Sequence, residues 1–393
     1  MPLFFHSPLT RALLACALLN WTPLYAAVTP QEADSAPTAA SRPPALDDSQ
    51  SVALYGHIDT DLVSNLKGGL KTGSGVESVA VGGVTMSGDV LGLQGSTFNL
   101  SAMAIYTDDL NARYIGAITN PSNIEGEVTR VVLDTVYWQQ AWLKQANLGF
   151  TTRLGMFDLN SEFISTASAA QLINSSFGMD PSMTENFSVS TFPKNGSGLV
   201  ATLTNAADTD SAPLALKVGL FQGDVDTQTR PFKQGLLSLA EAQWRPVEHS
   251  ALKLGVWEKH GNDLPSVHGA YLSAEGRFWQ HEHSALDAFV RASYADAAQD
   301  ANGETHPKNY WAAGLSWDAP LASRAHDIFT LGFGGLQLEG GEPSQGGHER
   351  FFEISYIAQL NQHLYLQPDL QYIQSPSGEQ ADAWVGILRL HIE

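Results

Sequence analysis

Residues 286–294 read Leu-Asp-Ala-Phe-Val-Arg-Ala-Ser-Tyr, and residues 352–358 read Phe-Glu-Ile-Ser-Tyr-Ile-Ala. In both stretches apolar residues occupy every second position, and most positions between them are polar. Successive side chains of a strand point to opposite faces of the sheet, so this period predicts strands with one apolar and one polar face. Phe289 is an exception, an apolar residue on the predicted polar face. A soluble β-sandwich has the same alternation, so the number and spacing of strands must decide the fold.

The alternation recurs along the whole chain and marks about sixteen strands. An even number is what a single-chain outer-membrane barrel requires, because both ends of the barrel then lie on the periplasmic side. The strands are predicted to be centred near residues 55, 81, 101, 136, 152, 201, 218, 240, 254, 273, 290, 313, 332, 355, 368 and 387.

The segments between these strands sort by length. Short turns on one side and longer loops on the other are typical of membrane barrels, whereas a sandwich has no reason to alternate them. The predicted periplasmic turns are 87–94, 142–146, 205–213, 246–249, 280–284, 318–325 and 360–362. The predicted outer loops are 61–75, 107–130, 158–197, 223–233, 260–267, 296–308, 339–350 and 374–381. The third of these is the longest, and a loop of that length with no strand of its own is usually functional.

The N-terminus reads as an export signal. Arg11 precedes the apolar run 12–19, and the small residues Ala26 and Ala27 follow. We therefore predict a signal peptide at 1–26, a flexible Ala/Pro/Ser/Asp-rich linker at 27–50 and a barrel domain at 51–393. A buried N-terminal helix and a lipoprotein processing site at Cys16, the only cysteine of the chain, are the alternatives.

Composition narrows the function classes. The net charge is −20, which argues against nucleic-acid binding because that depends on Lys and Arg at phosphates. No run after the signal approaches 18 apolar residues, the length of a spanning helix. An exported chain without such a helix can still cross a membrane as a closed barrel, because every backbone group is then paired between strands. At about sixteen strands such a barrel encloses an aqueous channel. Five aromatic residues lie toward predicted strand ends, where aromatic rings favour the headgroup level of a membrane. They are Trp244, Trp279, Trp317, Trp384 and Tyr294.

Several linked motifs follow one another along the chain, namely Gly95–Phe98, Ser122–Glu125, Arg153–Gly155, Asp158–Phe163, Ile173–Gly178, Phe192-Pro193, Glu353–Tyr356 and Leu366–Ile373. Together they resemble the carbohydrate-selective porins of the OprB type. The resemblance covers residues 76–390 and implies a sixteen-stranded outer-membrane barrel, narrowed by inward-folded loops, through which sugars diffuse passively.

Sugar passage needs side chains that replace the hydration of hydroxyls, which Arg, Asp, Glu, Asn and Gln can do. Binding must be weak so that the sugar leaves. The alternative is structural: Arg153 and Glu162 pair to hold the loop against the wall, and Asn174 caps a short helix. The predicted constriction and sugar-contact residues are Arg153, Asp158, Asn160, Glu162, Asn174, Gln367, Asp369 and Gln371.

The sequence predicts a porin in the bacterial outer membrane with sugars as the transported solute. We expect no catalysis, no cofactor, no metal and no nucleic acid, and contact with outer-membrane lipid and lipopolysaccharide; association of three barrels is left open. One alternative is an exported soluble β-sandwich that binds carbohydrate or hydrolyses glycosides, since two carboxylates suffice for glycoside hydrolysis. Another is a barrel with a plugged lumen and a structural role.

Overall fold

The computed structural model describes residues 46, 50–207, 212–225, 232–233, 235–261, 266–296, 306–339 and 347–393. The predicted signal peptide, 1–26, and the predicted linker, 27–50, apart from residues 46 and 50, lie outside the described residues. Among the residues that are described, no helix is both long and apolar enough to cross a bilayer.

Sixteen antiparallel strands form one sheet that closes on itself, with β1 paired to both β2 and β16. The predicted all-β barrel is confirmed, and a two-layer sandwich does not match this single closed sheet. Every predicted strand centre falls inside the corresponding strand. The strands are β1 Val52–Gly69, β2 Gly73–Ser87, β3 Ser96–Thr107, β4 Arg130–Gln145, β5 Leu148–Phe157, β6 Gly196–Thr204, β7 Leu214–Gln222, β8 Leu236–Trp244, β9 Ser250–His260, β10 Val267–His281, β11 Ser284–Asp296, β12 His306–Asp318, β13 Ile328–Glu339, β14 His348–Asn361, β15 Leu364–Gln374 and β16 Ala381–Ile392.

The predicted first outer loop, 61–75, is wrong. Strands β1 and β2 continue through most of it, and only residues 70–72 connect them. Within this segment the outward Ser64 and Ser74 hydrogen-bond to each other at 2.9 Å and interrupt the apolar stripe that Leu62 and Leu66 continue. Backbone pairing with the neighbouring strands holds the segment extended. The bounds of the other connections differ from the predicted ones by four residues or fewer.

The outer face of the barrel is apolar. Exposed Leu, Val, Phe and Trp side chains project from the strands, as expected where the surrounding solvent is lipid. The five aromatic residues singled out in the sequence all belong to this exposed set and lie within four residues of a strand end. They are Trp244, Trp279, Trp317, Trp384 and Tyr294.

Two loops fold against the inner wall of the barrel. Loop L2, residues 108–129, connects β3 to β4, and loop L3, residues 158–195, connects β5 to β6. L3 contains two one-turn α-helices, α1 Ser175–Gly178 and α2 Pro181–Thr184. The other helical turns among the described residues are the 3₁₀ turns Gly88–Leu91, Leu159–Ser161, Ala169–Gln171 and Pro376–Gly378 and the π turn Asn111–Ile115.

Inward apolar side chains give both loops a packing surface. Phe177 of α1 packs edge-on against Phe289 of β11 and Phe351 of β14, with ring centroids 6.0 Å and 5.4 Å apart. Ile124 of L2 is fully buried in a cluster with Val79 and Met103 of the neighbouring wall. Phe289, the apolar residue on the predicted polar face, is thus part of the seat of L3.

Candidate channel constriction

The base of loop L3 is held by a group of polar and charged side chains that we call the base cluster, namely Gln139, Arg153, Glu162 and Lys217. Glu162 accepts a bond from Arg153 Nη1 at 2.7 Å through Oε1 and from Lys217 Nζ at 3.1 Å through Oε2. Lys217 Nζ also donates to the backbone oxygen of Glu162 at 2.7 Å. One carboxylate therefore joins two cations from strands β5 and β7.

The orientation of Arg153 is fixed by its neighbours. Its Nε and Nη2 atoms donate to Oε1 of Gln139 on β4 at 3.0 Å and 2.7 Å. Its guanidinium carbon lies 4.4 Å from the ring centroid of Tyr137 and 5.6 Å from that of Phe157. A guanidinium that lies over an aromatic face while bonding in its own plane is a stable arrangement for Arg. The side chain remains 14% exposed, and that of Glu162 12%.

Asp158 shapes the first turn of L3. Its Oδ1 accepts a bond from the backbone N–H of Asn160 at 2.7 Å, which caps the 3₁₀ turn Leu159–Ser161. Burial raises the pKa of the Asp158 carboxyl to about 7, although hydrogen bonds, including the one from Asn160, act in the opposite direction. Asn160 is half-buried, and its Oδ1 accepts no hydrogen bond from the described residues.

The tip of L3 lies against strands β14 and β15. Asn174 caps α1, its Oδ1 accepting from the backbone N–H of Ser176 at 3.1 Å. The carboxylate of Glu353 accepts hydrogen bonds from the two backbone N–H groups just before α1, those of Ile173 at 2.5 Å and Asn174 at 2.9 Å. All four of these residues are buried, so the tip is held by hydrogen bonds that exclude water.

Three polar residues of β15 line this contact. Gln367 Nε2 donates to the backbone oxygen of Gln171 in L3 at 2.9 Å. Gln371 accepts from Asn174 Nδ2 at 3.0 Å and donates to the backbone oxygen of Pro121 in L2 at 2.8 Å. It also donates to Asp369 Oδ1 at 3.0 Å.

Loop L2 is held by the wall in a similar way. Glu349 of β14 accepts from the backbone N–H groups of Ile118 at 2.7 Å and Thr119 at 3.2 Å. Asp61 of β1 accepts from Ser122 Oγ at 2.7 Å and also pairs in bidentate fashion with Arg389, at 2.7 Å to each oxygen.

Loop L2 also carries a buried carboxyl of its own. Glu125 accepts from the backbone N–H of Asn111 at 2.7 Å. Burial raises the pKa of the Glu125 carboxyl to about 8, although the hydrogen bond from Asn111 lowers it. The protonated carboxyl is therefore the form that this site favours.

The eight predicted contact residues fall into two groups. Arg153, Asp158, Asn160 and Glu162 lie together at the base of L3, and Asn174, Gln367, Asp369 and Gln371 lie together at its tip. The ion pair of Arg153 with Glu162 and the helix cap at Asn174, the structural alternatives for those residues, are both present. Direct contact of these residues with sugar stays a prediction.

Several residues of the site were not singled out in the sequence. Lys217 is a lone charge on the inward face of β7, between outward Leu216 and Val218, and that isolation is a usable signal. Arg277 is another inward charge; it pairs with Asp287 at 2.8 Å and with Asp318 at 3.5 Å. The contacts of Glu349 with L2 and of Glu353 with L3 have no local signal, because these partners are more than 170 residues away.

Comparison with known proteins agrees with this architecture. The family model described as carbohydrate-selective porin, OprB family, matches residues 88–257 and 256–393. No curated protein sequence matches the chain.

Solved structures share the fold at low sequence identity. The high-pH structure of Pseudomonas putida OprB is 17% identical with a TM-score of 0.74, covering 87% of this chain and 94% of that one. Its low-pH structure is 15% identical with a TM-score of 0.56, covering 87% and 92%. The outer-membrane channel DcaP of Acinetobacter baumannii is 11% identical with a TM-score of 0.52, covering 87% and 96%.

The family model spans most of the chain, and the barrel with its two inward loops provides the matching architecture. The chain therefore belongs to the OprB family of carbohydrate-selective porins.

Proposed function

We propose that sugars cross the outer membrane through this barrel by passive diffusion, and that they pass the base cluster at the start of L3. The observation that carries the proposal is the difference in exposure between the two ends of the loop. Arg153, Glu162 and Lys217 keep 12–18% of their side chains exposed, whereas Asn174 and Gln371 are 0% exposed. Only groups that meet water can exchange a water molecule for a sugar hydroxyl.

The chemistry of the base cluster suits a neutral polyol. A sugar hydroxyl can donate to the carboxylate of Glu162 and accept from Arg153 or Lys217. The existing ion pairs compete with the sugar for these groups, which keeps binding weak, as passage requires. Asn160 adds an amide next to the cluster at the same end of L3.

The test is liposome swelling with the purified full chain and sugars of graded size. We expect Arg153→Ala to change the glucose rate, because Glu162 loses one of its two cations. Arg324→Ala is the matched control, since Arg324 also pairs with a carboxylate, Asp327 at 2.7 Å, but lies in the turn 319–327. A folded Arg153→Ala protein with an unaltered glucose rate would remove Arg153 from the sugar path.

Other expectations about maturation and assembly also stand as proposals. Removal of residues 1–26 is supported by the charged and apolar pattern of that segment, and N-terminal sequencing of protein from outer membranes tests it. Contact with lipid and lipopolysaccharide is supported by the apolar outer face. Mass measurement in detergent distinguishes single barrels from trimers.

A further inference from the structure

We infer that side chains of β14 and β15 set the width of the channel by holding L2 and L3 together as one unit. The contact region, here called the loop junction, comprises Glu349, Glu353 and Gln371 on the wall with residues 118–123 of L2 and 171–175 of L3. This inference rests on the proposed function, because it assigns these residues a role in selecting sugars by size. In this inference they act as positioning residues, through the loops that they hold.

Gln371 is the central group of the loop junction. Its amide oxygen accepts from Asn174 of L3 at 3.0 Å, and its amide nitrogen donates to Pro121 of L2 at 2.8 Å. The side chain is 0% exposed. A single wall residue thus holds both loops, and neither loop can leave it without abandoning a buried polar group. Such a group is costly to leave without a partner.

The two loops also bind each other directly. The backbone N–H of Asn123 donates to the oxygen of Ile173 at 2.9 Å, and that of Ser175 donates to the oxygen of Asn120 at 2.9 Å. On either side, Glu353 holds the backbone of L3 and Glu349 holds that of L2. Glu349 also accepts from the backbone N–H of Ser377 at 2.7 Å, which adds the loop 375–380 to the same assembly.

These contacts make the positions of L2 and L3 interdependent. Hydrogen bonds that share partners in a buried network act together, so loss of one weakens the rest. When the junction opens, both loops move from the bore at once and larger solutes pass. The closed junction therefore favours small sugars.

The test combines a side-chain variant and a backbone variant of the full chain. Gln371→Met removes the amide bonds to both loops, together with the bond to Asp369 on the same strand, with little change in volume. Ser175→Pro removes only the N–H that reaches Asn120, because Pro is well accepted at the first position of a helix and Asn174, at φ −62° and ψ 131°, has the extended backbone required before Pro. Gln374→Met is the control, since Gln374 lies on the same strand with its bond directed to exposed Arg350.

We expect the disaccharide-to-glucose ratio of swelling rates to rise about fivefold in Gln371→Met, the change that loss of roughly one net hydrogen bond produces in an equilibrium, and less in Ser175→Pro. Exclusion of neutral polymers in planar bilayers should shift to larger polymers in the same order, with the control unchanged. This readout measures width without sugar, so a channel that excludes all sugars would defeat the proposed function alone. Folded Gln371→Met and Ser175→Pro proteins with unchanged polymer exclusion would overturn the inference.

A cavity beside α1 and α2 carries a second, independent inference. Its volume is about 10 Å³, and its lining includes Asp180, Ser273, Arg291 and Tyr310. Arg291 Nη1 donates to the backbone oxygen of Phe177, but its Nη2 atom has no partner among the described residues. Asp180 Oδ1 accepts from Ser293 at 2.6 Å and from the backbone N–H of Ser182 at 2.9 Å, whereas Oδ2 has none.

We propose that one buried water molecule occupies this cavity and bridges Arg291 Nη2 to Asp180 Oδ2. A cavity of this size holds about one water molecule, and a donor, an acceptor and nearby hydroxyls supply the partners it needs. A crystal structure of the full chain that resolves ordered water tests the proposal. A single peak within hydrogen-bond distance of both atoms is expected; an empty cavity, or direct contact between Arg291 and Asp180, would overturn it.

Discussion

The two ends of loop L3 are held to the barrel in different ways. At the base, Glu162 is joined to Arg153 and Lys217 by ion pairs whose members stay partly exposed to the bore. At the tip, Glu353 accepts two backbone N–H groups of the loop and Gln371 accepts from the side chain of Asn174, and all of these hydrogen bonds are buried. An ion pair beside water can exchange its partner for a solute, whereas an enclosed bond can only hold position. The base is thus suited to contact with the sugar, and the tip is suited to holding the loop in position.

The largest effect is expected from the shared carboxylate at the base. Glu162→Ala leaves Arg153 and Lys217 without their common partner and removes the one carboxylate that offsets their two positive charges. We expect the glucose swelling rate to change by about tenfold, since charged hydrogen bonds are the strong ones at such sites. Glu339→Ala, which breaks an ion pair of 2.6 Å with Lys308 elsewhere, is the control and should leave the rate unchanged. Equal effects of the two variants would contradict the special role of the base.

The next effect concerns the apolar seat of the tip. Phe289→Ala removes the ring beneath Phe177 and should destabilise the docked loop by about 3 kcal/mol, the usual cost of such a cavity. Single-channel recordings should then show increased current noise from a mobile L3. Phe333→Ala is the matched control, because Phe333 lies on the exposed outer face. Quiet channels in folded Phe289→Ala would show that packing contributes little to holding the tip.

A moderate effect of pH on the docking of L2 is expected from the buried carboxyl of Glu125. The pKa of Glu125 rises from 4.5 to about 8 in the folded protein. Because the folded state binds this proton more tightly than the unfolded state, docking of L2 is most stable below pH 4.5 and weakens as pH rises toward 8.

Hydrogen exchange of the L2 amides between pH 5 and 8.5, corrected for intrinsic rates, measures this effect. Protection should fall as pH rises in the parent chain, whereas Glu125→Gln should be nearly independent of pH. Protection that rises with pH in the parent chain would contradict the assignment.

The smallest effect is expected at Arg277, an inward charge of β10 whose ion-pair partners lie outside L3. Arg277→Gln removes one inward positive charge beside Asp287 and Asp318. The reversal potential in a salt gradient should shift toward cations, and high salt should abolish the shift because it screens the interior field. A shift toward anions would contradict the inward position of this charge.

The strands of the wall could be predicted from sequence because the alternation within each short stretch is enough to identify a strand. Alternation with period two located all sixteen strands, and it failed in extent only at 61–75, where Ser64 and Ser74 interrupt the outward apolar residues. The pattern also marked Phe289 as an apolar residue on the polar face. The residue that explains this position, Phe177, lies in another segment, so the contact between the two rings could not be predicted.

The site could be predicted only in part. The base of L3 adjoins β5 in sequence, and Arg153 and Glu162 were paired correctly as the structural alternative. The loop junction was not foreseen, because Asn174 and Gln371 are 197 positions apart and Glu349 reaches L2 across 231. Nothing in either local stretch indicates such a partner.

The most direct test of the account compares two serines of L3 by chemical modification. The chain's only cysteine is Cys16, in the predicted signal, so Ser161→Cys and Ser176→Cys each introduce a single conservative thiol into the mature barrel. Ser161 is half-buried at the base, and Ser176 is buried at the tip. A charged thiol reagent should react with Ser161→Cys and lower the single-channel conductance, and it should leave Ser176→Cys unmodified. Equal reaction of both thiols, or faster reaction at the tip, would contradict the account in which the base contacts the sugar and the tip holds the loop in position.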